Sequence, residues 1–241
     1  MQPHISVIIP AFNEERLLGR CLEALIEQNY PKEKYEILVI DNGSHDNTVQ
    51  VARKLGVLVF TYKAMQGCAA ARHYGASKAK GGILAFTDAD SAPEPDWLSK
   101  IEKAFQNPNI ICIGGGALPD TKTFRYKAIF GLYHGFDLLQ KWVGKPLLGG
   151  YNMAVKTSSY KKVGGFNKSL LSADDWDLSI RLYKQFGSKA VIYMPELRVY
   201  VSTRKQKNLL MLFRYTKDSF FNYINLFLLE KRKVKSIINV R

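Results

Sequence analysis

Short apolar runs alternate with amphipathic stretches through the first half of the chain, and this alternation predicts successive strand–helix units around a largely parallel sheet. Ile5–Ile9 reads as a buried strand closed by Pro10. Glu15–Gln28 places Leu17, Leu18, Cys21, Leu22, Leu25 and Ile26 at helical spacing, so it is predicted as a helix with one apolar face. The same reading gives a strand at Ile37–Ile40, a turn at Asp41-Asn42-Gly43-Ser44 and a helix at Thr48–Leu55 capped by Asp46 or Thr48. Val57–Tyr62, Ile83–Thr87 and Ile110–Gly114 read as strands, and Cys68–Ala79 and Asp96–Gln106 as helices. Beyond Gly116 the alternation loosens. An aromatic stretch from Phe124 to Phe136 matches no element, a Gly149-Gly150 turn precedes a short strand at Asn152–Val155, and a helix starts near Asp174. The pattern predicts an α/β fold with a mostly parallel central sheet flanked by helices, and no linker before about Thr203.

Composition narrows the class. With 241 residues, 46% hydrophobic and 23% charged, the chain is too apolar for a disordered protein and long enough for a well-buried core. Cys21, Cys68 and Cys112 fit neither a disulfide framework nor a paired zinc spacing, so they read as core residues in a reducing compartment. His4, His45, His73 and His134 lack metal-ligand spacing. The N-terminus lacks the pattern of a signal peptide, and the longest apolar stretch, Leu209 to Leu229, is broken by Arg214, Lys217 and Asp218, so no membrane span is expected.

The net charge of +14 is unevenly placed. From Arg204 onward ten Lys and Arg face only Asp218 and Glu230, which leaves +6 for the preceding 203 residues. The expected division is therefore a domain at 1–203 and a basic tail at 204–241. The tail combines an apolar stripe at helical spacing with Lys231-Arg232-Lys233-Val234-Lys235. Such a segment either binds an anionic membrane surface or packs on the core with a solvated basic end. Membrane binding is the expectation, with the protein cytoplasmic and peripheral on the inner face of the membrane.

In open α/β sheets ligands bind beyond the carboxyl ends of the strands, which directs attention to Pro10–Glu14, Asp41, and Asp88-Ala89-Asp90. Two carboxylates at one strand end repel each other unless a divalent cation relieves them, and hard oxygen ligands suit Mg²⁺ or Mn²⁺ bridged to a phosphate. No G-x-x-x-x-G-K-[ST] or G-x-G-x-x-G sequence is present, so neither a P-loop NTPase nor a dinucleotide oxidoreductase is supported. In Asp174-Asp175-Trp176-Asp177, acidic residues favour a helix N-terminus, and Asp177 stands four residues before Arg181. That accounts for two of the three carboxylates; the third is available as a general base, its pKa raised by its neighbour.

Together these segments carry a resemblance. Val7-Ile8-Ile9-Pro10-Ala11-Phe12-Asn13-Glu14-Glu15, Val39 through Thr48, Thr87-Asp88-Ala89-Asp90, Gly164-Gly165-Phe166 and Asp174-Asp175-Trp176-Asp177-Leu178 follow one another as in family 2 glycosyltransferases, whose fold is GT-A. The similarity covers about residues 4–203. It implies that Pro10, Ala11, Phe12, Asn13, Glu14 and Asp41 bind the nucleotide base, and that Gly67 and Arg72 face the donor. It further implies that Asp88, Ala89 and Asp90 hold ribose and metal, with Asp90 and Asp88 as metal ligands. Asp175 becomes the catalytic base, with Asp174 where Glu is usual, and Gly150, Tyr151, Asn152 and Trp176 fall on the acceptor side. The implied reaction is a single inverting displacement from a nucleotide-sugar donor, UDP-sugar favoured, with Mn²⁺ or Mg²⁺, onto a glycan or polyprenyl-linked acceptor. The competing reading is a non-catalytic basic module with a degenerate transferase body. Intact Asp41, Asp88, Asp90 and Asp175 argue against it, and no recognised nucleic-acid motif supports a nucleic-acid partner.

Overall fold

The computed structural model of the chain describes residues 4–206, apart from positions 145 and 171. The expected tail segment Leu209–Lys235 lies outside the described residues. Eight strands, β1 (Ile5–Ala11), β2 (Tyr35–Asp41), β3 (Leu58–Thr61), β4 (Ile83–Thr87), β5 (Ser91–Pro93), β6 (Cys112–Pro119), β7 (Asn152–Lys156) and β8 (Val191–Val201), form one sheet in the order β3-β2-β1-β4-β7-β6-β8-β5. Helices α1 (Leu18–Ile26), α2 (Thr48–Lys54), α3 (Cys68–Lys78), α4 (Trp97–Phe105), α5 (Phe124–Val143), α6 (Thr157–Lys162) and α7 (Asp174–Phe186) flank it.

Alternation along β1 sorts the layers, because successive side chains point to opposite faces. Val7, Ile9 and Ala11 share a core with Leu18 and Leu22 of α1 and Trp97 and Ile101 of α4. Ile8 faces the other way and joins Ile40, Phe86, Ala71 of α3 and Leu178 of α7. Pro10 does not close β1. Pairing with β4 ends at Ile8↔Phe86, whereas pairing with β2 continues through Pro10↔Ile40 to Ala11↔Asp41, so Pro10 sits where only one ladder remains to be satisfied. Helix α1 starts at Leu18 rather than Glu15, because the amides of Glu14 and Glu15 are held by Thr48 Oγ1 at 2.7 Å and Asp46 Oδ2 at 3.1 Å. Asp46 Oδ1 also accepts from the Thr48 amide at 2.9 Å and so closes the start of α2.

The sheet is mixed. β1–β2, β1–β4, β2–β3 and β6–β8 run parallel, while β4–β7, β6–β7 and β5–β8 run antiparallel. The apolar run at Asn152–Val155 marks a strand, but a period-two pattern carries no information on strand direction. Between Gly115 and Gly116 the β6–β8 register jumps from Met194 to Arg198, and a Cβ on Gly115 would lie 1.9 Å from the Leu197 carbonyl oxygen, so only glycine fits. Asn152 closes this irregularity. Its side-chain amide donates to the Gly116 and Leu197 carbonyls at 3.0 and 2.8 Å, and its Oδ1 accepts from the Trp97 indole at 2.8 Å.

Candidate active site

The order β3-β2-β1-β4 reverses direction at β1, and the crevice beyond the carboxyl ends of β1 and β4 is where such sheets bind ligands. Pro10 and Ala11 end β1, and buried Asp41 ends β2. Asp41 Oδ1 accepts from the Ser44 amide at 2.9 Å, which folds the following turn. Asn13, at φ 54°, accepts from the His45 amide at 2.9 Å and donates its own amide to Ser44 Oγ at 3.0 Å; Phe12 meets His45 edge-to-face. Asn42, which sequence reasoning did not single out, donates to the Tyr62 and Met65 carbonyls at 2.7 and 2.9 Å and accepts from the Gly67 amide at 2.7 Å. It fixes Gly67, at φ 125°, as the residue from which α3 starts.

Arg72 is the hub. It is 4% exposed, its guanidinium lies over the Phe166 ring at 5.6 Å, and it pairs with Asp88 Oδ1 at 2.7 Å and Asp174 Oδ2 at 3.2 Å. A buried guanidinium with two carboxylate partners keeps its charge. One cation therefore joins the end of β4 to the start of α7, segments 86 residues apart in sequence. The Gly164-Gly165-Phe166 turn supports it from below. The Phe166 amide donates to Tyr160 Oη at 3.1 Å, while Arg181, paired with Asp177 at 2.6 Å, donates to the Val163 and Gly165 carbonyls at 2.5 and 2.7 Å.

The three carboxylates of α7 thus divide their work differently from simple helix capping: the residue before the helix, Ala173, is left-handed at φ 54°, and no side chain caps its start. Asp177 serves Arg181 and the glycine turn, and Asp174 serves Arg72. Asp175 accepts from the Gly150 amide at 2.7 Å and from the Trp176 amide at 2.9 Å, which aims its carboxylate while leaving the residue partly exposed. Burial pushes the Asp174 carboxyl up to about 6 against the pull of Arg72. Burial raises Asp175 as well, with Arg72 and the two amides opposing.

Among the residues expected on the acceptor side, Gly150 borders Arg72 and Asp175, and Trp176 packs beside Leu147 and Ile180. Tyr151 packs against the core shared by β1 and α1. Asn152 is fully buried, and its bonds to Trp97, Gly116 and Leu197 leave no surface for an acceptor. Cys21 and Cys112 are buried as expected, whereas Cys68, the first residue of α3, is exposed.

Asp88 and Asp90 are two hard carboxylates at one strand end, with Asp88 29% exposed at its side chain. Arg204 pairs with Glu14 and places a guanidinium nitrogen 3.5 Å from Asp90 Oδ2, so the pocket at Asp90 accommodates a positive charge. Among the described residues no cluster of three or more His, Cys, Asp or Glu could hold a metal ion. The donor set fits Mg²⁺ or Mn²⁺ only as two carboxylates completed by substrate phosphates, the usual arrangement for Mg²⁺. Asp120 links this corner to a neighbouring cavity: its carboxylate accepts from the Thr203 amide at 3.0 Å and meets Arg20 at 3.3 Å, and it lines a space of about 520 Å³ between β6, α5 and β8. Lys122, Lys127, His134 and Arg198 line that cavity with Leu118 and Phe130.

A strand order that reverses at β1, in a mixed sheet flanked by helices, is that of the GT-A fold. The chain belongs to the family described as Glycosyl transferase family 2, which matches residues 6–164. It is 33% identical over 183 residues to the glycosyltransferase AglE of Haloferax volcanii, covering 72% of this chain and 59% of that protein. It is 33% identical over 123 residues to a dolichyl N-acetyl-alpha-D-glucosaminyl phosphate 3-beta-D-2,3-diacetamido-2,3-dideoxy-beta-D-glucuronosyltransferase of Methanococcus voltae, covering 46% of this chain and 38% of that enzyme. The chain therefore spans less than two thirds of the length of these relatives. Its fold is similar to the mannosyltransferase PcManGT from Pyrobaculum calidifontis in complex with GDP-Man and Mn²⁺, with TM-score 0.77, 21% identity, and coverage of 98% of this chain and 67% of that one.

Proposed function

We propose that the protein transfers a sugar, with inversion, from a nucleoside-diphosphate sugar to an acceptor hydroxyl or phosphate-linked glycan carried on a lipid. The observation that carries this reading is the Arg72 bridge, which sets the donor end at Asp88 and the base end at Asp174–Asp175 against one another. Pro10 to Glu14 and Asp41 form the wall for the nucleotide, with Gly67 at the mouth of α3. Asp90 and Asp88 would hold a divalent cation with the donor diphosphate, and the cation supplies charge neutralisation to the departing nucleoside diphosphate. Asp175 takes the proton of the attacking hydroxyl at Oδ1 or Oδ2, held in position by the Gly150 and Trp176 amides. Arg72 pairs with Asp174 beside the base and adds positive charge next to Asp88.

Two observations support a lipid-linked acceptor. The cavity beside the site pairs Lys122, Lys127 and Arg198 with apolar Leu118 and Phe130, the combination an anionic phosphate with an apolar chain requires. The Methanococcus relative is by its name an enzyme of dolichyl-phosphate sugars. UDP is the favoured nucleotide, and the inner face of a membrane the favoured location. The deciding experiment measures transfer from a panel of UDP- and GDP-sugars to the hydroxyls of short polyprenyl-linked sugars, with wild type and Asp175→Asn side by side. Transfer in wild type and none in the variant supports the reading; equal rates in both, or no transfer to any acceptor while donor binds, overturns it.

A further inference from the structure

Of the nine large hydrophobic side chains exposed among the described residues, six belong to α5. Phe124, Leu132 and Trp142 are 84%, 76% and 85% exposed, and Leu138 and Leu139 lie exposed on the same helix. At 3.6 residues per turn these five, with Ala128, Gly131 and Gly135, fall within an arc of about 120° that contains no polar side chain. The opposite face is the one that packs: Phe130 and Gln140 are buried, and His134 bonds to Tyr193 Oη at 2.9 Å. A helix that is apolar on its solvent side as well as its core side calls for an apolar partner.

Charge identifies that partner. Arg125 and Lys127 flank the apolar arc, with Lys122 just before the helix, and the sole acid of α5, Asp137, faces inward onto Tyr193. A second copy of the chain laid on this face would set the same cations against one another. The chain's own residues 207–241 carry eight Lys and Arg against Asp218 and Glu230, so they too would bring like charge. An anionic surface with an apolar interior satisfies both features at once. No described helix is long and apolar enough to cross a membrane, so the geometry is that of a helix lying in the interface.

We propose that α5 is an interfacial helix, whose outward face Phe124–Leu132–Leu139–Trp142 enters the acyl boundary of an anionic bilayer while its flanking cations contact lipid headgroups. This deepens the lipid-linked acceptor proposed above and rests on it for its purpose: Lys127 and Gly131 of α5 line the 520 Å³ cavity, so a bilayer against α5 would lie beside it. The binding itself is measured without any sugar transfer, which keeps the two readings separable.

The test uses the full chain and vesicles of phosphatidylcholine alone or with about one third phosphatidylglycerol, at roughly 0.05 and 0.5 M salt. Wild type is expected to co-sediment with the anionic vesicles at low salt. Leu132→Gln with Trp142→Gln is expected to weaken that binding about tenfold, with an unchanged melting temperature and unchanged nucleoside diphosphate affinity. Brominated acyl chains are expected to quench tryptophan fluorescence in wild type, and the loss of that quenching in Trp142→Phe places the side chain in the bilayer. Wild-type affinity in the double variant would assign attachment elsewhere in the chain. A large drop in its melting temperature or oligomer size would show that protein covers this face. Either result, or indifference of wild type to anionic vesicles, overturns the proposal.

Discussion

Gly150 lies so close against Arg72 that a Cβ on it would come within 2.6 Å of the guanidinium, while its amide donates to Asp175 at 2.7 Å. A guanidinium held by two carboxylates has little freedom to retreat. Gly150→Ala is therefore expected to displace Arg72 or break the amide contact to Asp175. The kcat for transfer should fall about ten- to a hundredfold, with a stability loss of about 1–3 kcal/mol. Steady-state kinetics and a thermal melt check it; an unchanged kcat would mean that the Gly150 contact does not position the base.

Asp175→Asn is expected to lower kcat by at least about a hundredfold while leaving donor affinity near wild type, since a general base acts in the transition state. Asp174→Asn leaves Arg72 with Asp88 and should be milder on kcat. Calorimetric titration with nucleoside diphosphate, beside transfer rates, separates the two effects. If Asp174→Asn is the more damaging variant, the base assignment moves by one residue.

Burial holds Asp175 above its ordinary value, and a base must be deprotonated to act, so kcat should fall with acid along a limb lying above the usual carboxylate range. Arg72 is the chief opposing influence, so Arg72→Met is expected to move that limb to still higher pH. Asp174 rises from 3.8 to about 6 on folding, so the folded state holds more protons in that window. Its contribution to stability is thus largest below about pH 4 and is lost as pH rises through about 6. Melting temperatures across this range should decline less steeply in Asp174→Asn than in wild type.

Removing divalent cations is expected to weaken nucleoside diphosphate binding, because a diphosphate beside Asp88 and Asp90 otherwise meets like charge. Asp90→Asn should weaken the Mn²⁺-dependent binding and reduce the effect of EDTA. Titration calorimetry with and without EDTA decides this: identical affinities would assign the diphosphate to Arg72 and Arg204 alone.

The strand-end positions of Asp41, Asp88 and Asp90 were legible because local apolar runs fix where strands stop. The helix at Asp174 was legible for its acidic start, and so was the Asp177–Arg181 pair four residues apart, but not the partners of Asp174 and Asp175, which lie on α3 and the Gly150 turn. Those are long-range contacts with no local signature. Helix α5 escaped notice because its apolar residues lie on the exposed side, as at Leu132 and Trp142, as well as on the packed side, as at Phe130, and do not sort into one core-facing stripe. β8 was missed because it pairs across a register jump, with charged and proline residues at Glu196, Pro195 and Arg198. Asn42 and Asn152 carried only turn-residue signals; their roles appear once the carbonyls they satisfy are brought to them.

Asn152 provides the clearest separation of packing from chemistry. A position beside the Gly149-Gly150 turn points toward an acceptor, but its three hydrogen bonds join α4, β6 and β8 in the interior. Asn152→Ala removes partners from the Trp97 indole and from the Gly116 and Leu197 carbonyls, each an orphaned buried group costing about 1–3 kcal/mol. The expected loss is about 3–5 kcal/mol in denaturant unfolding, less where water enters the space. At a temperature where the variant remains folded, KM for the acceptor should stay near wild type. A raised acceptor KM with unchanged stability would return Asn152 to the acceptor site.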